Sequence, residues 1–438
     1  MPINSFLYPG AKVTPAYEVA NSCRFNSGSS DNLSISLSST ATNTKKGTLS
    51  FWFKTQGFNQ QYPIAKGAGT VFYLYFNSSN QLVWQNASTN TRITNQVFRD
   101  PTAWSNLVVN FDTTQSTASN RQKMYFNGVE ITSFGTSNDL SLNQSISIFD
   151  GDSNTRAISG YVGGGYWDGY MCEVVGIDGE QLDATSFGEF DEDSPTIWKP
   201  KDVSGLTFGN NGFYLDFEDS SALGNDVSGN NNDFTVNNLT AIDQATDTPT
   251  NNFCTLNPLN FGNGTLSEGN LKWTTSSQAG NLAFGTIGID MDVSNQFYWE
   301  TKIEGGEIVI GIAPTTLRWN DTGRAGSYGY YSDGNKYSGT SASSYGASFT
   351  TNDIIGVLVG NGTLTFYKNG ASQGTAFSSL SGTYLPFLAE VGSTNSMNFG
   401  SPPYSISSGN SDPAGYGNFE YSTNSGYALN TKNLAEFG

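Results

Sequence analysis

The chain of 438 residues contains no histidine. That absence removes Ser-His and Cys-His nucleophilic catalysis, histidine metal sites and the ordinary pH switch of an imidazole. Cysteine is almost absent as well, with Cys23, Cys172 and Cys254 the three present. An odd, sparse set is not a disulfide framework. Cys23 and Cys172 both sit in strand-like runs and could be neighbours in one sheet, as free buried thiols or as a bridge. Positive charge is scarce, since 20 Lys and Arg face 38 Asp and Glu and leave a net charge of −18. Such a surface repels phosphate backbones, which argues against nucleic acid as a partner. No basic amphipathic segment suits a membrane surface, and no run approaches the roughly 20 apolar residues of a membrane helix, so no membrane insertion is expected. The opening "MPINSFLYPGAKVTPAYEVANSC" lacks a basic stretch followed by an apolar one. No signal peptide is read from it, and synthesis in the cytoplasm is expected. Asn-x-Ser/Thr sequons such as those at Asn77 and Asn86 are then by-products of an Asn/Ser/Thr-rich composition.

What is plentiful is glycine (50 residues), small polar residues and aromatics, the last at 13%. Disordered chains are poor in aromatics, so this composition fits short strands joined by Gly/Asn/Asp/Ser turns, an all-β reading. The length suits two or three domains. "TLSFWFKT" places Leu49, Phe51 and Phe53 on one face and Ser50, Trp52 and Lys54 on the other. "FYWETKI" alternates Phe297, Trp299, Thr301 and Ile303 against Tyr298, Glu300 and Lys302. Asn-Gly pairs at 127–128, 361–362 and 369–370 supply the two positive-φ residues of a type I′ hairpin turn. "QKMYFNGVEITSF" and "LTFYKNGASQGTAF" repeat one hairpin, with Tyr125 and Tyr367 each two places before the Asn. No helix of ten residues is predicted. Pro, Gly and polar clusters divide the chain into a lead-in (1–20), a first sandwich (21–195), intermediate strands and linker (196–249), and a second sandwich with an aromatic, polar tail (250–438).

The stretches "SCRFNSGSSDNLS", "GTLSFWFKT", "AWSNLVVNFDTTQSTASNRQKMYFNGVEI" and "WDGYMCEVVGIDGEQLDATSFGEF" resemble concanavalin A-like (laminin G-like) jelly rolls of bacteriophage structural proteins. "FYWETKI", "IVIGIA", "DGNKYSGTSASSYGASFTTNDIIGV", "GTLTFYKNG" and "GYALNTKNL" resemble the SPRY domains that follow them in such proteins. The resemblance implies two antiparallel β-sandwiches and a virion component, tail or capsid-surface, of a marine cyanophage type. It also implies other virion proteins as partners and a homo-oligomer, trimer or ring.

A sugar hydrolase needs two carboxylates aimed into one cleft, about 5–5.5 Å apart for retention. "EFDEDS" offers Glu189, Asp191 and Asp193, but Pro195 disfavours a central strand, and a solvated acidic loop is expected rather than an enzyme. "DGDSN" places Asp150, Asp152 and Asn154 at alternating positions, a set of hard oxygen ligands for a structural Ca2+. Thr155 and Tyr161 stand where an EF-hand needs Gly and Glu, so an Asx-rich turn is the alternative. Asp226, Asn230 and Asp233 raise the same question. For glycan or partner binding, Tyr166 and Trp167 follow three glycines, and Trp319, Asn320, Arg324 and Tyr328 lie in an aromatic and polar loop. Tyr and Trp give contact area at low entropic cost. The expected function is non-enzymatic adhesion to a host-surface polysaccharide, with capsid decoration as the first alternative and a depolymerase as the second.

Overall fold

The three Asn-Gly pairs close three tight hairpins. Both residues of each take positive φ, at 47° and 78° for Asn127 and Gly128, 49° and 67° for Asn361 and Gly362, and 48° and 77° for Asn369 and Gly370. The twist of that turn matches the twist of the strands it joins. Around these hairpins the computed structural model builds two antiparallel β-sandwiches. It describes residues 17–438 except 68, 88, 162, 276–280 and 322–323. Residues 1–16 of the expected lead-in lie outside the described residues.

The first sandwich packs two eight-stranded sheets. One is centred on Lys46–Thr55, flanked by Ser105–Asp112 and Gly169–Asp178. The other runs from Phe134–Ser137 through Thr89–Val97, Gln81–Asn86, Phe72–Phe76, Gln61–Lys66, Thr155–Ile158 and Asn32–Ser36 to Thr235–Asn237. Phe51, Phe53, Leu107 and Val109 of the first sheet meet Leu74, Phe76 and Trp84 of the second in one core. The segment expected as intermediate strands and linker belongs to this sandwich. Phe213–Leu215 pairs with Gly169–Asp178, Thr235–Asn237 with Asn32–Ser36, and Gln244–Ala245 with Ser22–Phe25.

The outer face of the first sheet is covered too. Trp52, Val108, Tyr170 and Cys172 pack beneath Phe187, Val203 and Phe208 of the chain that follows. Trp52 and Lys54, placed by alternation on the face away from the core, are therefore buried. Cys23 opposes Met171 across neighbouring strands, so Cys172, one residue on, points to the opposite face. The three cysteines are buried free thiols.

The second sandwich is one fourteen-stranded sheet that folds back on itself. Its two longest strands, Gln296–Pro314 and Thr383–Asn398, run side by side through both layers. Gln296–Lys302 pairs with Ile354–Gly360, and Val309–Ile312 pairs with Tyr328–Tyr331. Between these halves the register shifts at Gly305, and Gly306 turns with φ 79°. Trp299 and Ile303 before the bend and Ile308 and Ile310 after it share one core. The tail is structural. Tyr427–Ala428 adds a parallel strand beside Phe297–Tyr298, Phe419 and Leu429 are buried, and a helix spans Thr431–Phe437. The Asn430 side chain accepts a hydrogen bond from the Asn433 amide and caps that helix. No helix among the described residues is long and apolar enough to cross a membrane.

Buried charge joins the sandwiches. The Lys54 ammonium meets Asp247 at 2.8 Å, the Asn252 side-chain oxygen at 2.7 Å and the Phe253 carbonyl at 3.0 Å. The Trp104 indole donates to the other Asp247 oxygen at 2.8 Å. Arg24, 1% exposed, donates to the carbonyls of Ile242 (2.9 Å) and Pro402 (3.3 Å) and lies 3.4 Å from Glu268. Close by, Glu18 pairs with Lys432, and the Asn252 amide donates to Thr431, so the first described residues lie beside the C-terminal helix.

Candidate binding surfaces

The solvent face of the second sheet of the first sandwich carries a tyrosine cluster. Strict alternation in Phe72–Phe76 sends Phe72, Leu74 and Phe76 into the core and leaves Tyr73 and Tyr75 outside. Tyr62 on the next strand stacks on Tyr75, with ring centroids 4.6 Å apart and planes at 16°. Tyr161 lies 4.6 Å from Tyr62 and 5.6 Å from Tyr73. The glycines before Tyr166 let these rings close up, since a Cβ on Gly165 would come 2.5 Å from the Tyr62 ring. All four tyrosines are half-buried.

A row of cross-strand neighbours runs from the cluster across the same face. Thr235, Ser34, Ala157, Ala65, Tyr73 and Gln85 pair successively across the sheet, which puts them in one row. Hydroxyls stand at one end, Ala157 and the fully buried Ala65 lie between, and aromatic and amide groups stand at the other end. Burial pushes the Tyr62 hydroxyl up to about 12, helped by Tyr75, Tyr161 and Tyr73, and raises Tyr73 and Tyr75 as well. The hydroxyls are therefore neutral donors near pH 7. Rings and neutral donors suit the C–H faces and hydroxyls of an uncharged sugar.

Of the residues singled out in the sequence here, Tyr166 is half-buried, and its ring lies against Gly160. Trp167 is corrected to a core residue. It is fully buried, 5.5 Å from Phe53 and 6.1 Å from Phe76, so no ring face is free for a sugar. Tyr62, Tyr73, Tyr75 and Tyr161 were not singled out. The outward positions of "VFYLYF" were the available signal, but nothing local says that two other segments converge there.

The second sandwich presents a different surface. Trp319 is 43% exposed and Leu259 68%, and the Trp319 amide donates to the Asn260 side chain at 3.1 Å. Buried Leu317 anchors this loop, and the Arg318 amide donates to Asp321 at 2.7 Å. Asn320 is exposed beside Trp319. Arg324 instead lies over the Tyr337 ring at 5.6 Å. Tyr328 packs 4.9 Å from Phe377 and 6.0 Å from Tyr384, so it supports the loop rather than lining its surface.

The carboxylates of the proposed Ca2+ site already hold two buried cations. Lys66, with its side chain fully buried, lies 2.6 Å from Asp152 and 3.6 Å from Asp150, and Arg156 pairs with both. Asn154 donates to Asp152 at 2.6 Å. Burial opposes ionisation of Asp152, yet hydrogen bonds from Lys66 and Asn154 hold it well below the usual carboxylate range. Burial raises Asp150. A Ca2+ here would face a guanidinium and an ammonium, so these residues form an internal ion-pair network and the metal reading is corrected. Asp226 spends its oxygens on the amides of Tyr214, Ser228 and Asn232. Among the described residues no group of acidic or cysteine side chains is placed to hold a metal. Glu189 and Asp191 flank Lys199 at 3.6 and 3.5 Å, and Asp191 closes an Asx turn onto Asp193 and Ser194. This is a surface turn rather than a pair of carboxylates in a cleft.

Two family models match the two sandwiches. Residues 27–178 match the concanavalin A-like lectin/glucanases superfamily, and residues 296–402 match the SPRY domain. The chain carries a concanavalin A-like domain followed by a SPRY domain. Curated relatives include Ran-binding protein 9 of Xenopus tropicalis, 37% identical over 121 residues that are 25% of this chain and 22% of that protein. The Ran-binding proteins 9/10 homolog of Drosophila melanogaster is 34% identical over 120 residues, 25% of this chain and 12% of its own length. The match thus spans less than a quarter of these relatives. Solved structures that align include the SPRY domain of human HERC1, at 19% identity, TM-score 0.28, and 32% of this chain against 96% of that one. A heptameric SAP-like pentraxin of Limulus polyphemus aligns at 17% identity and TM-score 0.27, over 38% of this chain and 80% of its own. A lectin-like fold beside a SPRY fold fits a non-enzymatic binding role.

Proposed function

We propose that this protein is an adhesion protein that binds neutral polysaccharide through the tyrosine cluster of its concanavalin A-like domain. The observation that carries the reading is the uncharged cluster of Tyr62, Tyr73, Tyr75 and Tyr161 on an otherwise acidic chain. The same proposal places it on a bacteriophage virion, on the sequence resemblance given above, as part of a homo-oligomer facing a host-surface glycan. Many copies on one particle would raise avidity without a strong single site. The test is retention of the full chain on immobilised neutral polysaccharide and on host envelope. Tyr62→Ala/Tyr75→Ala should lose at least tenfold in apparent affinity while keeping the wild-type circular dichroism spectrum. Equal retention of this variant and the wild type would defeat the reading.

A second reading places a protein partner on the exposed Trp319 and Leu259 of the SPRY domain. The protein-binding names of the curated relatives support it. Trp319→Ala would then release a partner captured from intact particles, while the tyrosine variant would not.

A further inference from the structure

A cleft of 320 Å³ opens where the two sandwiches meet. Asn21, Ser220 and Ile242 form the wall on the first sandwich, and Pro402, Tyr404 and Asn418 form the wall on the second. Thirteen residues line it and none is charged, in a chain of net charge −18. Its volume lies near the lower end of ligand sites, roughly 300–1,000 Å³. Ile242, Pro402 and the buried Tyr404 supply apolar surface. The side chains of Ser220 and Asn418 make no hydrogen bond to another described residue, so their polar groups are open to a guest.

Two side chains pin the walls: the Ser401 hydroxyl accepts from the Thr246 amide at 3.3 Å, and Arg24 reaches both sides. Arg24 donates from one guanidinium nitrogen to the Ile242 carbonyl and from another to the Pro402 carbonyl, one on each wall. The cleft is thus pre-formed, which lowers the ordering cost of binding. A charged ligand would find no counter-charge among the lining residues. A ligand with hydroxyls around its rim and C–H groups on its faces finds partners for both. We infer that this inter-domain cleft binds a neutral saccharide of one or two rings, a site separate from the tyrosine cluster. The inference rests on the proposed reading that the ligands are neutral glycans.

The experiment is titration of the full chain with glucose, galactose, mannose, N-acetylglucosamine and their disaccharides, followed by saturation-transfer NMR and calorimetry. Ile242→Trp fills the cleft from an exposed position, Asn418→Ala removes a polar contact, and Tyr62→Ala/Tyr75→Ala leaves the cleft intact. The expected result is saturable binding of at least one sugar, weakened tenfold or more by Ile242→Trp, severalfold by Asn418→Ala, and unchanged by the tyrosine pair. Thermal melting confirms that each variant is folded. Absence of saturable binding, or binding that both cleft variants leave untouched, overturns the cleft. If polysaccharide retention on the tyrosine cluster persists in that case, the adhesion reading stands without it. Loss of retention in the tyrosine pair with sugar titration unchanged supports both sites.

Discussion

Glu173 shows what burial does to one carboxyl. It sits at a bulge of Gly169–Asp178 with φ 49° and accepts hydrogen bonds from Tyr17 (3.0 Å) and Tyr214 (2.9 Å). Burial pushes it up to about 7; the hydroxyls oppose that shift, and Asp216 and Glu218 add to it. In an unfolded chain the same group titrates near ~4.3. The folded state therefore keeps a proton that the unfolded state loses between those values. The stability tied to that proton is complete below about pH 4 and is lost as pH rises through 7, a difference of about 4 kcal/mol. Glu173→Gln, which keeps an acceptor for both tyrosines, should remove most of the fall in stability between pH 5 and pH 8. Urea unfolding at the two pH values reads it. A residual slope remains from Asp31, which burial also pushes up to about 7. A slope identical to wild type would mean that Glu173 is ionised in the folded protein.

At the scale of elements, hairpins were legible because their chemistry is local. Asn-Gly fixes its turn whatever lies around it, and alternation fixes which of Leu364, Phe366 and Tyr367 faces inward. The bend that turns one sheet into two layers was not legible. "KIEGGE" carries no turn signal that sets it apart by pattern alone, with Gly305 and Gly306 between Glu304 and Glu307. Only the register with Thr383–Asn398 shows that both strands bend together. A Cβ on Gly306 would meet the Ser393 Cβ at 2.4 Å, at a φ that side chains rarely adopt. Gly306→Ala should therefore cost about 1–3 kcal/mol in chemical denaturation. A neutral effect would show that the bend relaxes around the methyl group. Candidate sites were legible only in part for the same reason. Trp319 and Asn320 stay on the surface, but Trp167, in an equally aromatic stretch, is core because Phe53 and Phe76 arrive from distant strands. Asp150 and Asp152 read as ligands until Lys66, some 85 residues earlier, comes between them.

At the scale of the whole molecule the two sandwiches share buried charge rather than a flexible tether. Lys54 and Asp247 are 2% and 1% exposed, and each has a further hydrogen bond across the junction, Lys54 to the Asn252 side chain and Asp247 from the Phe253 amide. Removing one partner of such a pair strands the other, at roughly 3–5 kcal/mol. Scanning calorimetry of the wild type should show one cooperative transition. Lys54→Met should lower it and split it into two, one for each sandwich. Two transitions already present in the wild type would show that the junction does not couple them.

The ion pair between Glu18 and Lys432 has a mechanical consequence. Both ends of the described chain leave from the same corner, next to the junction. A tether attached at either end would load that corner. Force applied between the two ends would meet this contact first, before tension reached either core.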